Sequence, residues 1–282
     1  MKVIIIQENG RHKKNRHFRE CYSLQRAFNF HGHETCVWGL NHKNFNMQPN
    51  WEDYDLIFNL ENYDTSGWIP NLSRIKTYKI LWSIDAHCRG VDVFNQTFRA
   101  GNYNLLLHST RDFAVGENRA WFPNAFDDDL IGKMKDIEKK YFIGFCGNYV
   151  NRRKMIDFME NKFSMKKDIF VIGEDMVKAI NSYDIHFNKN MANDINYRSF
   201  ETIACGTALL TNKNPQYEKL GFKDMENCII YSDTNEMVEK LNFLIKNSDQ
   251  IRKIQSLGYD LSTKHTYKIR VKKLLTFLKE KI

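Results

Sequence analysis

Short apolar runs alternate with longer amphipathic segments along the whole chain, and this alternation limits the fold more than any other feature. Strand signals fall at residues 2–7, 34–40, 54–60, 77–83, 104–108 and 120–122, with a helical pattern over 16–30 that Gly32 ends. The alternation restarts after a polar, charge-dense stretch at 124–140, read as a hinge with room for a short helix. Strands are expected at 141–146, 168–172, 183–188, 208–211 and 228–231. Helices are expected at 152–163, 175–181, 194–205, 235–246, 249–257 and 267–281. Strands separated by helix-length segments build parallel, doubly wound sheets. The expectation is an α/β protein of two Rossmann-like domains, 1–125 and 126–282, facing a cleft, with the last helix free to pack back on the first domain. In such sheets ligands bind beyond the carboxyl ends of the strands.

Composition narrows the class. With 42% hydrophobic residues, the 282-residue chain has enough apolar material for packed cores. No apolar run approaches the roughly 20 residues of a membrane span. Cys21, Cys36, Cys88, Cys146, Cys205 and Cys228 form no C-x-x-C pair, which points to a reducing, cytoplasmic setting and away from structural zinc. The net charge of +8 suits an anionic partner, either a nucleic acid or an anionic substrate.

Several candidates follow strands. After the first come Arg11, Lys13, Lys14, Arg16, His17 and Arg19. Cations at a helix start oppose its dipole, so they read as phosphate partners or as a solvated loop. After the fourth come Asp85, His87 and Arg89; Asp85 fits a general base or a helix cap, and Glu61 and Glu20 compete for the first role. Gly147 and Asn148, followed by Arg152 and Arg153, make a turn and a basic helix start suited to an anion. This stretch is neither a P-loop nor a dinucleotide fingerprint. Asn188 and Asn190 suit a base, a diphosphate or a turn. Arg198 and Glu201 share a helical face, with Asn193 and Asp194 at the expected helix start. A carboxylate beside a guanidinium suits ribose and phosphate; it also suits a surface ion pair.

The string Glu201-Thr202-Ile203-Ala204-Cys205-Gly206-Thr207 resembles the nucleotide-sugar motif of GT-B glycosyltransferases, and the chain from 141 onward resembles CgeB-like members. The resemblance implies that Glu201 holds the ribose of a nucleotide sugar, UDP-linked by analogy. Eight positions upstream, where many retaining members carry a second Glu, this chain has Asn193. A weaker resemblance is to the DNA β-glucosyltransferases of T-even phages, carried by Arg198 three before Glu201, by Gly147 with Arg152–Met155, and by the placement of Asp85. It implies a metal-independent transferase with no permanent cofactor. Arg198, Arg152 and Arg153 would neutralise the diphosphate, Gly147, Asn148, Asn188 and Asn190 would line the donor site, and Asp85 would act as base with inversion. The basic run, His87 and Arg89 would hold the acceptor, a hydroxymethylated pyrimidine in double-stranded phage DNA in the host cytoplasm. Glycans of a cell envelope, capsule or spore coat are the alternative acceptor. A nucleotide- or DNA-binding module without chemistry is the second alternative.

Overall fold

The computed structural model describes residues 1–10, 12–60, 67–279 and 281. The chain forms two compact units: Met1–Asn124 with Ala192–Asp194 and Tyr267–Ile282, and Ala125–Met191 with Ile195–Thr266.

In the first unit β1 (Lys2–Ile6), β2 (Glu34–Trp38), β3 (Leu56–Leu60), β4 (Tyr78–Ser83), β5 (Leu105–His108) and β6 (Arg119–Trp121) form a sheet of order β2-β1-β3-β4-β5-β6. Every pairing is parallel. Helices α1 (Glu20–Phe30), α2 (Ala86–Arg89) and α3 (Val91–Ala100) fill the connections. The central strands are apolar on both faces, as a parallel sheet covered on both sides requires. Residues 91–100 carry no assigned element in the sequence reading. They form α3, although only Phe94 is buried, so the apolar stripe is too sparse to announce a helix. The expected helix start at 16 is also displaced. Lys13–Phe18 is a 3₁₀ helix, and α1 begins at Glu20.

In the second unit β7 (Tyr141–Gly147), β8 (Lys166–Ile169), β9 (Tyr183–Asn188), β10 (Ala208–Asn212) and β11 (Ile229–Tyr231) give the parallel order β11-β10-β9-β7-β8. Its helices are α4 (Arg153–Phe163), α5 (Glu174–Asn181), α6 (Tyr197–Ala204), α7 (Gln216–Lys219), α8 (Thr234–Ile245) and α9 (Ser248–Ser262). The final helix, α10 (Tyr267–Leu278), packs in the first unit, where the His31 ring meets the Lys268 carbonyl at 2.9 Å.

Three further expectations change here. The strand expected at 168–172 lies at Lys166–Ile169, because β7 pairs there and Phe170 takes a left-handed φ of 56° that ends the ladder. The polar stretch at 124–140 contains turns and no helix. It is fastened to the second unit by Met134 N–H on Asn181 Oδ1 at 2.9 Å and Lys139 Nζ on Thr207 Oγ1 at 2.6 Å. The helix expected from 194 starts at Tyr197, and Ala192–Asp194 belong to the first unit.

No helix among the described residues is long and apolar enough to cross a membrane. All six cysteines are free thiols.

Candidate functional site

Helix α6 stops because Gly206 can adopt φ +64°, and its end forms a closed pair of reverse hydrogen bonds. Thr207 N–H reaches Thr202 O at 3.3 Å and Gly206 N–H reaches Ile203 O at 3.1 Å. This stop delivers the chain directly into β10 and fixes the face on which Arg198 and Glu201 stand.

That face points to the carboxyl end of β7. Arg198 Nε donates to the Cys146 carbonyl at 3.1 Å, and its Nη1 donates to Met176 Sδ and to Glu201 Oε2. The Arg198 and Glu201 side chains are only 23% and 12% exposed, so this is not the plain surface pair that the spacing alone allowed. Burial is the largest influence on the Arg198 charge and works against it, but the Glu201 carboxylate and the nearby Cys146 and Cys205 side chains together outweigh it, and the pKa rises. Among the described residues nothing donates to Glu201 Oε1, so one carboxylate oxygen remains for a ligand.

A buried relay holds Arg198 from behind. Cys146 N–H donates to His186 Nε2 at 3.1 Å, which leaves the proton on Nδ1 facing Thr202 Oγ1 at 2.6 Å. The Thr202 hydroxyl then donates to the Arg198 carbonyl at 2.5 Å. Burial, with the Arg198 charge beside it, pushes the His186 pKa down to about 3, so the ring is neutral.

Beyond β7 the chain turns at Gly147 and Asn148, where Asn148 Oδ1 accepts from Val150 N–H at 3.0 Å. The half-buried Arg152 donates to the Lys189 carbonyl at 2.9 Å and the Asn148 carbonyl at 3.1 Å. It thus bridges the ends of β7 and β9. Burial and the nearby Arg198 charge both lower its pKa. No carboxylate pairs with it among the described residues, so this corner lacks the negative charge it would stabilise.

The other donor-side candidates are engaged with other partners. Arg153 is exposed, pairs with Asp157 at 3.6 Å and lies over the Tyr149 ring. Asn188 and Asn190 are buried and spend their amides internally. Asn188 Nδ2 meets Asn196 and Ser199 at 2.9 and 3.1 Å, while Asn190 Nδ2 meets Thr211 and Tyr217 at 3.1 and 2.6 Å. Both brace the loop before α6. Gly144 is also structural, since a Cβ there would lie 2.3 Å from the Tyr183 ring.

The first unit holds a second cluster, at the carboxyl ends of β4 and β5. Asp85 starts α2, yet its side chain makes no capping bond, and Cys88 and Arg89 N–H groups use its backbone carbonyl instead. Burial raises its pKa, His87 opposes that, and the Glu20 charge adds to it. Asp194, which the sequence placed at a helix start, is 5% exposed and accepts from Ser109 and Thr110 hydroxyls at 3.0 and 2.9 Å. Burial raises its pKa too, with His87 and Asp85 within electrostatic reach. Asn193 meets Asp112 at 2.7 Å. No local signal marks Asp194 for this position, because tertiary packing sets it.

Glu20 accepts from Gln7 Nε2 at 2.8 Å and lies 3.7 Å from Arg19 Nε. In the basic run Lys13, Lys14 and His17 are exposed, while Arg16 donates to the Gly10 carbonyl at 3.2 Å. His87 is half-buried and Arg89 exposed. Arg11 and Glu61 lie outside the described residues. Among the described residues no group of three or more His, Cys, Asp or Glu side chains could hold a metal ion.

Residues 145–276 match a family model described as glycosyl transferase-like. No curated protein matches the sequence. Among solved structures, the fold is similar to an α-glucosyltransferase in complex with UDP and a 13-mer DNA containing an HMU base (TM-score 0.70, 12% identity, 99% of each chain). It is similar to Anabaena Alr3699/HepE in complex with UDP and glucose (TM-score 0.64, 12% identity, 99% of this chain and 100% of that one). It is also similar to sucrose-phosphate synthase from Thermosynechococcus elongatus (TM-score 0.68, 10% identity, 100% of each chain).

Proposed function

We propose that the chain, which has the GT-B fold, is a glycosyltransferase that moves a sugar from a UDP-linked donor to a hydroxymethylated pyrimidine in DNA. The observation that carries the donor reading is the Arg198–Glu201 pair. It is fastened to the end of β7, keeps one carboxylate oxygen open, and stands beside a second guanidinium with no carboxylate partner.

In this reading Glu201 accepts from the ribose hydroxyls. Arg152 and Arg198 face the diphosphate. The acceptor oxygen bonds to the anomeric carbon as that carbon's bond to the phosphate oxygen breaks, and the electron pair leaves on UDP. Two fixed guanidiniums stabilise the growing charge on the leaving group. The acceptor proton passes to Asp85, whose raised pKa makes it a stronger base than an exposed carboxylate. Asp194 shares that neighbourhood and fits a positioning role for His87.

The DNA acceptor draws support from the net charge of +8, from the exposed Lys13, Lys14 and His17, and from the likeness to the DNA-bound α-glucosyltransferase. A base inside a duplex would have to be extruded before reaction. A glycan acceptor is the second reading. It is favoured by the comparable likeness to HepE and by Arg16, which is spent on its own loop.

Incubation with a panel of nucleotide sugars, hydroxymethylated duplex DNA and glycans separates these readings. The DNA reading expects a glycosylated nucleoside by mass spectrometry, with DNA affinity falling linearly on a log scale against salt. Product on glycans alone overturns the acceptor. Nucleotide binding with neither transfer nor donor hydrolysis overturns the catalytic reading in favour of a binding module.

A further inference from the structure

We infer that Phe170 is the platform on which the nucleobase of the donor stacks, an assignment that rests on the donor reading above. Phe170 follows directly after β8, the edge strand beside β7. Its N–H donates to the Gly147 carbonyl at 3.2 Å, which sets it alongside the glycine turn. The ring is 66% exposed, and the residue holds φ +56°. That backbone region crowds Cβ against the following carbonyl oxygen and is avoided by bulky side chains. Burial, the usual compensation for such strain, is missing here. Strained conformations that the surrounding structure maintains cluster at ligand contacts, and an aromatic face in water at the ligand end of a parallel sheet is a surface for a flat ring.

The strand order gives the second argument. Crossing the carboxyl ends of the sheet from β8 through β7 to β9, one meets Phe170, then Arg198 and Glu201 on the Cys146 carbonyl, then Arg152 on the Lys189 carbonyl. The link between the first two is short. Cys146 Sγ lies 3.8 Å from the Val171 carbonyl, next to Phe170. The series aromatic, carboxylate, guanidinium matches base, ribose, diphosphate in a nucleoside diphosphate. A stack of this kind accepts any base by its π-face, so selection among bases would come from the backbone around Phe170.

The test is calorimetric titration of wild type, Phe170→Ala and Phe170→Trp with UDP and, separately, with inorganic pyrophosphate, which has no base. The assignment expects Phe170→Ala to lose about tenfold or more in UDP affinity, on the scale of one base–aromatic stack, with pyrophosphate binding unchanged. Phe170→Trp is expected to keep UDP affinity and to show fluorescence quenching on binding. UDP affinity in Phe170→Ala within about twofold of wild type overturns the platform and leaves the donor reading intact. An equal loss for pyrophosphate overturns it as well, because the effect is then not on the base. A wild type that binds pyrophosphate but no nucleoside diphosphate overturns both.

Discussion

Arg198 donates through Nε to the carbonyl oxygen of Cys146 at 3.1 Å, and this bond ties helix α6 to the end of strand β7. The same guanidinium reaches Glu201, so a single planar group sets the position of the carboxylate relative to the sheet. A lysine has one compact ammonium and cannot serve both contacts with that geometry. Arg198→Lys should therefore lower UDP affinity by roughly tenfold and stability by about 1 kcal/mol, measured by calorimetry and by urea denaturation. Wild-type affinity in that variant would remove Arg198 from the donor site.

The base role of Asp85 separates chemistry from binding. Asp85→Asn should reduce transfer by roughly a hundredfold or more, while UDP affinity stays within about twofold. The raised pKa of the wild-type carboxylate sets the acidic limb of the rate profile. Activity should fall as pH drops through a value above the ordinary 3.8, because the protonated carboxyl cannot take a proton. Full turnover in Asp85→Asn would exclude the residue and turn attention to Glu20 or Asp194.

His186 gives a pH signature in stability. Its folded pKa is lowered from 6.5 to about 3, so between these values the unfolded chain binds one more proton than the folded one. Stability from this group is complete above pH 6.5 and falls by about 1.4 kcal/mol per pH unit as the pH drops toward 3. His108, pushed down to about 4 by burial, acts in the same direction. Denaturation midpoints of wild type and His186→Gln between pH 6 and 4 isolate the His186 share, and the variant should show a shallower slope by about one proton. Identical slopes would mean that His186 is charged in the fold.

Gly144 tests the packing of the second unit. A methyl group there meets the Tyr183 ring at 2.3 Å, and Tyr183 is itself fixed by its hydroxyl on Asp168. Gly144→Ala should lower stability by roughly 1–3 kcal/mol, with partial recovery when Tyr183→Leu is added. Unchanged thermal midpoints would show that the ring has room to move.

The parallel sheets were legible because their strands are buried on both faces and read as unbroken apolar runs, Val3–Ile6 being an example. The end of α6 was legible for a local reason, since Gly206 supplies a backbone conformation that other residues resist. The helix start was not. Asn193 and Asp194 look like capping residues, but long-range partners, Asp112 for one and Ser109 and Thr110 for the other, hold them in the first unit. Arg198 and Glu201 were found by spacing and string, whereas the Cys146 carbonyl that fixes them has no sequence signature. Asn188 and Asn190 show the converse. Their type and place suggested a ligand, and the fold uses them to satisfy a buried network with Thr211, Ser199 and Tyr217. Phe170 was passed over because the expected strand at 168–172 enclosed it, and an aromatic inside a strand reads as core until its exposure is known.

The donor assignment is tested most directly by titrating UDP into wild type and Glu201→Ala in the same buffer. The account predicts saturable binding of one UDP by the wild type and a loss of roughly tenfold or more in the variant, about 1.4 kcal/mol or above. Equal affinity in the two proteins, or no UDP binding by the wild type, would contradict it.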